Sequence, residues 1–160
     1  ATLNVGGDAI EVGDRILSGD ATLSAPIVLE SGDLEVNAAR DIIVGSVQAR
    51  TVSFNAGDDI QDVRLGDGEF VSARSLNIVA MGADVGSNRL IDGVRLDTSV
   101  DNLNIDLPGT GDVVIREADD IVLDSIQMGG ESFGSVGELD VDSGGSIRAN
   151  FLDKLSGGDV

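Results

Sequence analysis

Three close pairs of aspartates are the residues of this sequence best suited to chemistry. They are Asp58 with Asp59, Asp119 with Asp120, and Asp140 with Asp142. Two adjacent carboxylates can divide the acid and base roles in the cleavage of a sugar chain. The sequence has no His, Trp or Tyr, so it lacks the commonest acid–base side chain and the aromatic rings on which sugars stack.

The positions of the aspartates favour a structural role. An Asp directly precedes an apolar Ile at Asp41, Asp59 and Asp120, and an active site would not recur in this way along one chain. Aspartate at a turn accepts hydrogen bonds from nearby backbone amides. We therefore predict no catalytic, cofactor-binding or metal-binding residue, and no enzymatic activity.

Glycine–aspartate pairs suggest a second kind of chemistry, the binding of calcium. The pairs are Gly7-Asp8, Gly13-Asp14, Gly19-Asp20, Gly32-Asp33, Gly57-Asp58, Gly66-Asp67, Gly111-Asp112 and Gly158-Asp159. Calcium-binding β-rolls carry paired glycines at a period of about nine residues, and these pairs do not follow that period. We expect no cofactor; sporadic Ca²⁺ binding at a charged corner stays an alternative without assignable ligands.

Composition restricts both the partners and the fold. Among 160 residues, 29 are acidic and 10 basic, giving a net charge of −19, so nucleic acid and anionic membranes are disfavoured as partners. No apolar run reaches the roughly 18 residues of a membrane-spanning helix. With no Cys and only four Phe as aromatic residues, the interior must consist of Val, Ile, Leu and Ala. The 22 glycines indicate many tight turns between short strands.

A repeated unit of strand, corner and strand runs through the chain. The stretch from Gly32 to Gln48 is matched 79 residues later by the stretch from Gly111 to Gln127. Each unit has an apolar triplet in which alternate residues share one face, then a small Gly, Ala or Asp turn, then a second apolar strand. Triplets begin at Leu34, Val52, Leu76, Leu103 and Leu139.

The spacing of the triplets predicts a solenoid. Successive triplets are 18, 24, 27 and 36 residues apart, and the last interval has room for an extra turn at Val113. A unit of this size cannot bury its own apolar face. Coils must therefore stack, with each strand parallel to its equivalent one coil away. We predict an all-β chain that folds as a right-handed parallel β-helix, with bulging corners or extra short strands at 61–75, 86–102 and 128–138.

The repeat resembles the haemagglutinin-type repeats of filamentous-haemagglutinin-like exoproteins of two-partner secretion. The best match is Val52-Ser53-Phe54-Asn55-Ala56-Gly57-Asp58-Asp59-Ile60, and the resemblance covers most of the chain. It implies a β-helical fibre that an outer-membrane transporter exports to the bacterial surface. Proteins of this kind serve adhesion, biofilm cohesion or toxin delivery.

The expected function is therefore a shaft of a secreted surface adhesin, without catalysis and without membrane insertion. Residues 1–160 would form one β-helix segment of a longer protein. Its partners would be a surface receptor, a glycan or a matrix polysaccharide. The alternatives are a fragment of a β-helical polysaccharide-active enzyme and a calcium-stabilised repeat module.

Overall fold

The computed structural model describes residues 2–3, 10–11, 20–23, 25–62, 71–81, 96–109, 111–129 and 138–154. These residues form strands, turns and bends, with no helix among them. In the same residues there is accordingly no apolar helix of membrane-spanning length.

The described residues contain sixteen strands. The first eight are β1 (Thr2–Leu3), β2 (Ile10–Glu11), β3 (Ala21–Thr22), β4 (Ile27–Val28), β5 (Asp33–Ala38), β6 (Ile42–Val44), β7 (Val47–Gln48) and β8 (Thr51–Ala56). The others are β9 (Ile60–Asp62), β10 (Val71–Ala80), β11 (Leu96–Leu107), β12 (Val113–Glu117), β13 (Ile121–Met128), β14 (Leu139–Ser143), β15 (Ile147–Ala149) and β16 (Leu152–Lys154).

Parallel pairing arranges β3 to β16 in three stacks, each of which forms one face of a coil. The long face contains β5, β8, the second half of β10, the second half of β11, β13, and finally β15 with β16. The short face contains β4, β7, the starts of β10 and β11, β12 and β14. The third face contains β3, β6 and β9. The predicted parallel β-helix is confirmed.

Apolar columns fill the interior because equivalent residues of successive coils lie in register. One column on the long face contains Leu34, Val52, Leu76, Leu103 and Leu123, all at most 4% exposed. The next contains Val36, Phe54, Ile78, Ile105 and Ile126. Full burial of such a side chain contributes about 1.5–3 kcal/mol, so the stacking of coils stabilises the fold.

The predicted spacing of the apolar triplets is confirmed for four of the five. Leu34, Val52, Leu76 and Leu103 occupy one column. Leu139 was wrongly placed in this series, because Leu123 follows Leu103 and Leu139 instead pairs with Val113 on the short face. Of the stretches predicted to be irregular, 71–75 belongs to β10 and 96–102 to β11. Residues 63–70, 82–95 and 130–137 lie outside the described part.

The 79-residue repeat does not connect equivalent faces of the coil. Its first copy begins on the long face with β5, whereas its second copy begins on the short face with β12. Every corner joins two strands whose apolar side chains face inward, and every corner requires small residues at the turn. The same sequence unit can therefore occupy different corners of the coil.

The two ends of the stack differ. At the amino-terminal end, β1 and β2 form an antiparallel pair, and β2 contacts β5. Leu34 and Val36 of β5 are 1% and 0% exposed, although β5 is the first strand of the long face among the described residues. At the other end, Phe151 and Leu152 are 49% and 40% exposed.

Corner glycines permit close stacking of successive coils. A Cβ atom added at Gly57 would collide with the carbonyl oxygen of Ala39 in the neighbouring coil, and one added at Gly144 would collide with that of Ala118. The glycines therefore serve contact between backbones.

A substitution at Gly57 tests this role. We expect Gly57→Ala to lower the free energy of unfolding by about 1–3 kcal/mol, the usual cost of overpacking, as measured by urea denaturation. Gly32→Ala is the matched control, because its Cβ would meet Leu29 at an ordinary 3.5 Å. Equal stability of the two variants would contradict the steric explanation.

Candidate functional site

One carboxylate is buried inside the solenoid. In β12 the inward positions are Val113, Ile115 and Glu117, and Glu117 is only 2% exposed. Its column on the short face otherwise begins with Ile27, Val47 and Val71 and then reaches Thr98 directly before Glu117. A hydroxyl and a carboxylate thus replace aliphatic side chains in two successive coils.

The carboxylate of Glu117 accepts hydrogen bonds from the neighbouring coil and from its own corner. The Thr98 hydroxyl donates to Oε2 at 2.7 Å, and the Val100 amide lies 3.2 and 3.1 Å from the two oxygens. The amides of Ala118 and Asp119 lie 3.0 and 3.4 Å from Oε1. Four donors therefore compensate for the removal of this charge from water.

A change in the path of the chain explains the position of the carboxylate. Ala49, two residues after the column residue Val47, donates its amide proton to the Ser72 carbonyl at 3.1 Å. Val100, two residues after Thr98, donates to Glu117 instead. β11 runs past this point without interruption, whereas the next coil turns at 118–120. Glu117 supplies an acceptor at the place where the two coils diverge.

Burial raises the pKa of Glu117 above its ordinary 4.5, although the hydrogen bonds it accepts oppose the shift. A raised carboxyl pKa accompanies many catalytic acids, but this side chain is enclosed and bonded to the scaffold. Its arrangement suits a structural acceptor. The sequence reasoning missed Glu117; the available signal was an acidic residue at the third inward position of an alternating strand.

The three aspartate pairs that the sequence analysis considered for catalysis lie at corners or on outward surfaces. Asp119 and Asp120 are exposed beside Glu117, and Asp120 accepts the Ser146 amide at 2.7 Å. Asp140 and Asp142 lie on β14. A cleft of about 430 Å³ lies beside Arg50 and Arg74, and none of these pairs lines it.

The pair Asp58 and Asp59 meets a third carboxylate. One oxygen from each of Asp41, Asp58 and Asp59 lies within 4.8 Å of the others, the one such group among the described residues. Asp59 also donates its amide proton to Asp41 Oδ1 at 3.1 Å, and Gln61 donates to Asp59 at 3.4 Å. Asp41 therefore accepts a hydrogen bond from the next coil and Asp59 accepts one within its own coil, and clustered acids on a negative protein are a weak indication of calcium.

Polar side chains on the outside of the long face bond to one another from coil to coil. Asn55 donates to Asn37 at 2.8 Å, and Asn104 donates to Asn77 at 3.1 Å. Asn77 donates in turn to Ser53 at 3.3 Å. These amides satisfy one another, so this surface reinforces the stacking that the inner columns establish.

Arginines of the described residues pair with nearby acidic side chains, as Arg50 and Arg40 illustrate. Arg50 binds Asp33 through two hydrogen bonds of 2.9 and 2.6 Å, and Arg40 lies 3.7 Å from Asp20. The hydrogen bond from Arg50 lowers the pKa of Asp33, and the same contact raises the pKa of Arg50. Both members are exposed, so the pair adds little stability.

Comparison with known proteins gives no assignment: no family model, no curated protein and no solved structure matches this chain.

Proposed function

We propose that this chain is a structural shaft segment of a bacterial surface adhesin, in which the β-solenoid acts as a spacer and performs no catalysis. The observation that carries this proposal is the continuity of the ladders. Apolar columns run through successive coils inside, and polar ladders join the coils outside. A stack of coils of this kind can serve as a stiff spacer, and this role needs no binding cavity.

The adhesive part of the proposal depends on the resemblance of residues 52–60 to haemagglutinin-type repeats. A shaft of this kind is exported through an outer-membrane transporter and projects from the cell. Its partners are a surface receptor, a glycan or a matrix polysaccharide. The charge of −19 supports the role of a spacer, because it opposes lateral association between long sheet faces.

Two other functions have weaker support. A polysaccharide-active enzyme needs carboxylates that converge on an open cleft, whereas the aspartate pairs here lie on separate corners and surfaces. A calcium-stabilised module has the group of Asp41, Asp58 and Asp59 in its favour. In that group, however, Asp41 already accepts a backbone amide and Asp59 a side-chain amide.

Small-angle scattering and circular dichroism, each with and without calcium, test the proposal. We expect an elongated β-structured particle whose melting temperature does not change when calcium replaces EDTA. A compact particle would contradict the shaft. Folding only in the presence of calcium would favour the calcium-stabilised module, and Asp41→Asn with Asp58→Asn should then abolish the effect.

A further inference from the structure

An open cleft crosses three successive coils where the short face turns into the long face. Its volume is about 430 Å³, within the roughly 300–1,000 Å³ of small-molecule sites. Each coil contributes three consecutive residues to the lining, which are Leu29, Glu30 and Ser31, then Gln48, Ala49 and Arg50, then Ser72, Ala73 and Arg74. The three aliphatic residues belong to the core or pack against it. The polar and charged side chains therefore decide what the cleft can bind.

The two arginines of the cleft differ in their partners. Arg50 and Arg74 lie in adjacent coils, since the Arg74 amide donates to the Arg50 carbonyl at 3.0 Å. Asp33 accepts two hydrogen bonds from the Arg50 guanidinium. Arg74 is exposed, and its guanidinium pairs with no acid in the part of the chain that the structure describes. Its planar fork of donors is therefore available to a carboxylate from outside the chain.

The charges around the cleft suit a ligand that carries one carboxylate at this point. Asp33 neutralises Arg50, and Glu30 lines the cleft. Asp101 lies beside Arg74 in the next coil, between the paired positions 100 and 102. These acids and the net charge of −19 repel a polyanion of high charge density. A single carboxylate can still bind Arg74, because charge-assisted bidentate hydrogen bonds are the strong ones.

The rest of the lining favours a sugar over a peptide. The amides of Leu29 and Ala49 already donate to carbonyls of the neighbouring coils, at 2.7 and 3.1 Å, so the cleft cannot pair with an added peptide strand. Within the described residues, the side chains of Ser31, Gln48 and Ser72 have no hydrogen-bond partner. Hydroxyl and amide groups both donate and accept hydrogen bonds, as sugar hydroxyls require.

We propose that this cleft binds a glycan through one uronic-acid unit. Arg74 holds the carboxylate of that unit, and the three neutral polar side chains of the cleft bond to its hydroxyls and to those of the adjoining sugars. The inference rests on the adhesive part of the proposed function and names the chemical class of the glycan. A glycan that alternates uronic acid with neutral sugars fits best, because its carboxylates are widely spaced.

An NMR titration with a tetrasaccharide that alternates glucuronic acid with N-acetylglucosamine tests the site. We expect saturable binding, and none once the carboxylates of the tetrasaccharide are reduced to alcohols. Arg74→Gln should weaken binding about tenfold or more, because it removes a charge-assisted contact. Arg74 is exposed, so the circular dichroism spectrum should be unchanged. Arg148→Gln removes the same charge from an exposed position in β15; it is the matched control and should bind normally.

A second substitution separates charge from geometry. Arg74→Lys keeps the positive charge but lacks the planar fork, so it should recover only part of the affinity that Arg74→Gln loses. Unchanged binding by Arg74→Gln, or equal binding of the reduced tetrasaccharide, would overturn the site. Equal binding of a sulfated tetrasaccharide without uronic acid would overturn the preference for a carboxylate, and tighter binding of a glutamate-containing peptide would overturn the choice of a glycan. An elongated particle that binds no tetrasaccharide would refute only this site and leave the shaft intact.

Discussion

Ile121→Asp is expected to unfold the coils around β13. Ile121 is 1% exposed, pairs with Ile147, and donates its amide proton to the Ser146 carbonyl at 2.9 Å. The new carboxylate would lie among aliphatic side chains without a compensating donor. A buried unpaired charge costs several kcal/mol, a large part of the roughly 5–15 kcal/mol that stabilises a typical domain. Urea denaturation followed by circular dichroism should show most of the stability lost.

Val122→Asp is the matched control for this prediction. Val122 is the next residue of the same strand, but it points outward and is only partly buried. The same carboxylate there remains hydrated, and we expect a loss of less than about 1 kcal/mol. If Ile121→Asp melts as cooperatively as Val122→Asp and at the same temperature, the assignment of the inward face is wrong.

The second large effect concerns Glu117 and its dependence on pH. Burial raises the pKa of Glu117 above 4.5 in the folded chain, so the folded state holds this proton more strongly than the unfolded state does. The resulting stabilisation is fully present below the unfolded-state pKa and is lost as pH rises through the raised value. We expect this component of the unfolding free energy to fall with rising pH in that window.

Glu117→Gln isolates this component because the amide does not titrate. We compare the free energy of unfolding of the wild type with that of Glu117→Gln from acidic to neutral pH. The wild type should become more stable relative to Glu117→Gln as the pH falls. Other carboxylates contribute to both proteins and cancel to first order. The lowered pKa of Asp33 acts in the opposite direction and cancels in the same way. A pH-independent difference would show that Glu117 titrates normally.

The role of Glu117 as an acceptor is tested by a hydrophobic replacement. Glu117→Val restores the aliphatic side chain present at Val47 and Val71, yet it removes the acceptor for the Thr98 hydroxyl and the Val100 amide. Each buried unsatisfied donor costs about 1–3 kcal/mol. This variant should therefore be less stable than the wild type, although valine is more hydrophobic than glutamate. Adding Thr98→Val should recover part of the loss. Full stability of Glu117→Val would mean that the carboxylate is dispensable.

The sequence by itself determined the class of fold and most of the core. Alternation in triplets such as Leu34 to Val36 specifies an inward face, and the small Gly, Ala or Asp turn after each triplet specifies a corner. Since a coil cannot bury its own apolar side, stacking follows from these local features. The spacing of the first four triplets then gives the correct register on the long face, from Leu34 to Leu103.

Only the tertiary structure decided which corners are equivalent and how polar groups are satisfied. The repeat at Gly111 resembles the repeat at Gly32 in sequence, yet it occupies other faces of the coil. This is possible because every corner requires the same small residues. The environment of Glu117 depends on the Val100 amide, 17 residues away, and on a turn that β11 lacks. The burial of Leu34 and Val36 in β5 likewise depends on contacts between strands that are distant in the sequence. Local pattern specifies which way a side chain points, but its neighbour one coil away depends on the length of the coil between them.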